Sequence, residues 1–159
     1  MGREIFYSFH FDNDVMRVQL VRNMGVVAGN TPVSPNTWEE VKKKGDAAVE
    51  KWIDDNMSGK SCVIVLIGTE THKRPWVRHE IKKAWQERKG LLGIHIHNLN
   101  CPNNGKCAKG LNPFDQFTFK AGDKIVTPKV YAPKASDAYN DIAANLSDWV
   151  ETAINQRKN

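Results

Sequence analysis

Residues 74–81, RPWVRHEI, set a single carboxylate, Glu80, in a basic and aromatic segment. On its residue type alone Glu80 reads as a surface charge paired with Lys83, three positions on, worth about 0.2–0.5 kcal/mol. The other use of such an acid is chemistry at a cleft, and its place on the helix decides between the two. Near the N-terminus Phe6, Ser8 and His10 alternate, so a ring, a hydroxyl and an imidazole share one face of a strand. His10 reads equally as a structural histidine. His95, His97, Cys101 and Cys107 have the residue types of a zinc site. Their C-x5-C spacing is longer than the usual C-x2–4-C knuckle, so no metal centre is expected.

These groups lie in a chain of 159 residues with a formal net charge of +5. That length suits one domain, residues 1–159, with enough chain for a real core. The positive balance favours an anionic partner, either nucleic acid or a small phosphate-bearing ligand. KKK at 42–44 and KK at 82–83 read as solvated helix faces, and no basic stretch is interleaved with aromatics in a nucleic-acid motif. A nucleic-acid partner is therefore not expected. No apolar stretch approaches the roughly 18 residues of a membrane span, and no basic n-region precedes an apolar run. Three cysteines, with Cys62 inside an apolar run, suit a reducing compartment, so a cytoplasmic location is expected.

Strand-like and helix-like segments alternate, the pattern of an α/β fold with a parallel sheet. A first strand is expected over residues 4–9, then a helix capped from Asp12-Asn13-Asp14 and running to about Met24, then a short strand at 26–28. Thr37 and Glu40 form a capping box for a long helix to Met57, with the stripe Trp38, Val41, Ala48, Trp52 and Ile53. SCVIVLIG, 61–68, is a continuous apolar run with the look of a central strand buried on both faces. LLGIHIHNL, 91–99, alternates Ile94 and Ile96 with His95 and His97. Residues 98–127 read as a long surface excursion by their Asn, Gly, Pro and Lys content. KVYA gives a last strand, and Ser136 caps a final helix with the stripe Ile142, Leu146, Trp149, Val150 and Ala153.

Five strands in this order predict a flavodoxin-like three-layer sandwich with a mainly parallel central sheet. Ligands of such sheets bind at the carboxyl ends of the strands, here the loops starting at Ser8, Gly68 and Asn98. On a helix starting at Pro75, Val77, Ile81, Ala84 and Trp85 form the core stripe. Glu80 then lies to one side, at the rim of the core, with Trp76 one turn earlier on the same flank.

Several relatives of that architecture are excluded. SFHFDND has no glycine, so it is neither a dinucleotide-binding G-x-G-x-x-G turn nor the glycine-rich phosphate loop of a flavodoxin. Leu66-Ile67-Gly68 stands where a receiver domain carries its phosphorylated Asp, and no P-loop is present. Three blocks instead carry a resemblance: IFYSFHFDNDVMRVQLVRN, VIVLIGTETHKRPWVRHEIKKA and GLLGIHIHNL. Together they resemble the TIR-like sensor proteins of bacterial Thoeris antiphage defence. The first is similar to the aromatic-x-Ser-aromatic strand of TIR box one, the second to the strand and helix that bear the family's glutamate. The likeness runs in ordered blocks to about residue 100 and more loosely to the end; the 30–36 loop and residues 101–127 carry none of it.

The resemblance implies an enzyme that uses NAD as substrate, with no further cofactor, and breaks the nicotinamide–ribose bond. It implies that the ADP-ribosyl part becomes a signal, a cyclic ADP-ribose isomer or an amino-acid conjugate. That signal activates a separate effector protein after a phage-derived trigger. A homo-oligomer is a possible active state. Glu80 would be the catalytic carboxylate. Phe6, Ser8 and His10 would hold nicotinamide and ribose, Trp76 would stack on a base or exclude water, and Arg17 and Arg74 would meet the pyrophosphate. Each has a plainer reading too: Phe6 and Trp76 as core, Arg17 as an ion pair. Two rival functions remain: a non-enzymatic TIR interaction module, and another N-glycosidic hydrolase or transferase acting on nucleosides.

Overall fold

In a computed structural model of the chain, which describes residues 4–9, 21, 28–29, 40–41, 43–99, 109–121, 123–134 and 136–157, apolar runs and stripes settle into strands and helices in alternation. The strands are β1 (Glu4–Ser8), β2 (Ala28–Gly29), β3 (Cys62–Ile67), β4 (Gly90–His95), β5 (Lys120–Ala121), β6 (Lys124–Ile125) and β7 (Lys129–Tyr131). The helices are α1 (Asp46–Met57), α2 (Pro75–Gln86) and α3 (Ala138–Gln156), with 3-10 turns at Thr71–Lys73 and Pro113–Gln116.

The main sheet has the order β2-β1-β3-β4-β7, and every neighbouring pair is parallel. That is the expected five-stranded α/β sheet, although β2 contributes only two residues. β3 is central, and all six of its residues are buried because both faces are covered. On one face Cys62, Ile64 and Leu66 meet Ile142, Leu146 and Val150 of α3. On the other, Val63, Val65 and Ile67 meet Val49 and Ile53 of α1 and Val77, Ile81 and Ala84 of α2. The three layers follow from these two sets of contacts.

Four local readings change. Residues 37–57 are not one helix: a turn at Lys44 and Gly45 separates helical residues 40, 41 and 43 from α1. Gly45 has φ 98°, a left-handed conformation that side chains disfavour, so the break sits at the one residue that tolerates it. Ser136 does not cap α3; Asp137 holds the N-cap position, without a side-chain bond to the helix backbone, and its carboxylate accepts from Asn140. The stretch read as a surface excursion sends Phe114 and Phe119 into the core. His95, read as the polar side of an alternating strand, is buried. Of the helix expected over 12–24, Val21 alone is described, and it is helical and buried.

Candidate active site

β1 lies between β2 and β3: β2 pairs with its start, at Glu4 and Ile5, and β3 pairs with it from Ile5 to its last residue. Ser8 is that residue, and it is fully buried. A buried hydroxyl needs a partner. Its Oγ donates to Glu80 Oε1 at 2.7 Å, across 72 positions of sequence.

The other half of the pair is placed by α2. Arg74 is extended at the N-cap and Pro75 opens the helix, where a missing N–H costs nothing. Val77, Ile81 and Ala84 then face the sheet, and Glu80, one position off that stripe, is only 7% exposed. It sits deeper than the rim of the core. Lys83 is not its partner: the ammonium pairs with Glu87 at 2.6 Å and Asp54 at 3.4 Å. Burial pushes the Glu80 carboxyl up to about 8, and the Ser8 hydrogen bond opposes that rise. The surface ion-pair reading of Glu80 therefore fails, because the lysine is engaged elsewhere and the acid is in the core.

The other sequence-picked residues fall into three groups. Phe6 shares the Ser8 face but is packed among Val63, Val65 and Ile81, so its ring is core and not edge. Trp76 is half-buried one turn before Glu80 and meets the His79 ring edge-on at 6.0 Å. Arg74, at the head of α2, is half-buried, and its Nε is buried without a hydrogen-bond partner among the described residues. His10 and Arg17 lie outside the described residues, as do Cys101 and Cys107. Among the described residues no group of three or more His, Cys, Asp or Glu could hold a metal ion.

The strand ends do converge. Ser8 pairs with Val65 and Ile67 with His95, so the ends of β1, β3 and β4 are stepped side by side. After β3 the backbone N–H of Gly68 donates to Thr71 Oγ1 at 2.8 Å, which folds the link into α2. Gln116 Nε2 donates to the His72 carbonyl at 2.8 Å and ties the later segment to the same link. Thr71 and His95 are site neighbours that the motif reading missed. The parity of β4 carried the signal for His95, since Leu91, Gly93 and His95 must share the face of Val63, Val65 and Ile67.

The family model described as Thoeris protein ThsB, TIR-like domain, matches residues 6–101. The chain belongs to the Thoeris ThsB TIR-like family. A relative named "Putative cyclic ADP-D-ribose synthase ThsB1", from Bacillus cereus (strain MSX-D12), is 34% identical over 125 residues. That alignment takes in 76% of this chain and 65% of the relative, so it spans just under two thirds of that protein's length. The ThsB-matched span runs from Phe6 within β1 through β4, with Ser8, Glu80 and His95, whereas β5 to β7 and α3 follow it.

Proposed function

We propose that this chain is a Thoeris TIR enzyme that breaks the nicotinamide–ribose bond of NAD and turns the ADP-ribosyl part into a signal. The observation that carries the reading is the buried Ser8–Glu80 pair at the carboxyl end of β1. The name of the 34% identical relative, a cyclic ADP-ribose synthase, supports the same product class.

The chemistry needs one carboxylate. Cleaving a glycosidic bond passes through an oxocarbenium-like state, and glycosidases use a second acid because their leaving alkoxide must be protonated. Nicotinamide leaves a cationic pyridinium as a neutral molecule, so that proton is not required. Burial keeps Glu80 largely protonated at neutral pH. A pyridinium placed beside it favours the carboxylate, which then faces the ribosyl cation as it develops. The Ser8 hydroxyl, donating to Oε1, fixes the carboxyl group and stabilises its charged form. Trp76 shields the site from water, which favours cyclisation or conjugation over release of free ADP-ribose. Arg74 and Arg17 take the pyrophosphate, and His10 joins Ser8 in holding nicotinamide and ribose.

The product, a cyclic ADP-ribose isomer or an ADP-ribose conjugate, acts on a separate effector in the cytoplasm after a phage-derived trigger. The test is mass spectrometry of nucleotides from cells carrying this chain, its cognate effector and an infecting phage. An ADP-ribosyl product with matching nicotinamide release supports the reading. Unchanged NAD alongside hydrolysis of a nucleoside panel would instead assign the fold to another N-glycosidic reaction.

A further inference from the structure

At the carboxyl end of β4 two histidines stand side by side. The His95 and His97 rings meet edge-on with centroids 5.8 Å apart, and the Nδ1 of each is buried without a hydrogen-bond partner among the described residues. His95 is only 5% exposed. Native folds rarely leave buried ring nitrogens unpaired, so these call for a ligand.

The register gives their position. His95 pairs with Ile67, two residues beyond Val65, the partner of Ser8. His95 is thus two strands and two residues from Ser8, on the same face, on the order of 12 Å away. A sugar bearing a diphosphate bridges such a gap.

A cation is delivered to the same place. The backbone of Gly110 runs against the end of β3 so closely that a Cβ there would lie 2.0 Å from the Gly68 carbonyl oxygen. Lys109 precedes it, and its charge acts on both imidazoles, holding each below its usual value behind the larger effect of burial. Two neutral imidazoles that can donate N–H groups, beside one ammonium, suit an oxyanion. A metal ion fits less well, because it would face the ammonium and would have only two ligands among the described residues.

We propose that His95, His97 and Lys109 form an anion subsite of the strand-end cleft, holding a phosphate group of the nucleotide whose ribose meets Ser8 and Glu80. The ligand class rests on the function proposed above; the bond that is broken does not enter. The probe is inorganic pyrophosphate, added to the full chain while the imidazole nitrogen resonances are followed by NMR. Saturable shifts of His95 and His97 are expected, with binding weakened roughly tenfold in Lys109→Met, an exposed position whose replacement spares the core. Glu80→Gln should bind pyrophosphate as the wild type does. Rings unmoved at millimolar pyrophosphate, rings that respond to Zn2+ alone, or a Lys109→Met variant that binds as well as wild type would each overturn the subsite. NAD turnover with an unchanged KM in Lys109→Met would also sink it while leaving the proposed function standing. Pyrophosphate binding in a chain that never turns over NAD would do the reverse.

Discussion

Replacing Glu80 by glutamine should make the protein more stable at high pH and leave it unchanged at low pH. Glutamine keeps the volume and the acceptor for Ser8 Oγ but cannot ionise. The wild-type carboxyl rises from 4.5 in the unfolded chain to about 8 in the fold, with burial as the main cause. Between those values the native state holds a proton that the unfolded state has released, so stability falls as pH rises through the window. Below pH 4.5 both states are protonated and nothing is lost. At about 1.36 kcal/mol per pH unit, the cost is about 3 kcal/mol at pH 7 and about 5 kcal/mol at pH 9. For a chain of this size that is roughly 10–20 °C in Tm at pH 9. Thermal melts of wild type and Glu80→Gln at pH 5, 7 and 9 isolate the term, because every other group titrates in both. The two proteins should differ by only about 1 kcal/mol at pH 5, diverge up to about pH 8 and level off above it. Parallel curves across that range, or a glutamine variant that melts lower at pH 9, would refute the picture of a buried acid without a cation.

Other outcomes follow from the same contacts. Ser8→Ala removes the one group among the described residues that favours the Glu80 carboxylate, so kcat/KM for NAD should fall roughly 10- to 100-fold, and its pH profile should shift alkaline. In the wild type, kcat/KM should rise with pH through an apparent pKa at about 8, the free-enzyme value of Glu80. Gly110→Ala drives a Cβ into the Gly68 carbonyl, and urea unfolding should show a loss of about 1–3 kcal/mol. Arg157 lies 3.5 Å over the Trp85 ring and donates to the Trp85 carbonyl at 2.7 Å. Arg157→Ala should therefore cost about 1–2 kcal/mol in the same assay, with the NAD reaction untouched.

The sheet was legible where one local signal suffices. CVIVLI is apolar throughout because β3 is covered on both faces, and the sequence needs no partner to say so. The flank of α2 that carries Glu80 was legible from the 3.6-residue period alone. Its depth was not, because a helical repeat gives a direction and says nothing of how far α1 and β1 close over it. The Ser8–Glu80 bond joins positions 72 apart and exists only once β1 and α2 are packed. The break at Gly45 was hidden because the apolar stripe runs on through it, Val41 and Ala48 being two helical turns apart. Phe114 and Phe119 sit in a stretch whose composition is that of a loop, and their burial depends on the open side of α2 and β4 that they fill. His95 and His97 drew notice as metal-ligand types, whereas the register puts His95 on the face of the proposed active site.

The central claim is that Glu80 carries the cleavage of NAD. Nicotinamide release and formation of the ADP-ribosyl product, measured by mass spectrometry in phage-challenged cells, test it most directly when wild type and Glu80→Gln are compared at equal levels of folded protein. Wild type should yield both products together, and Glu80→Gln should fall to the background of cells without the chain. A Glu80→Gln strain that accumulates the same product at the wild-type level would contradict the account.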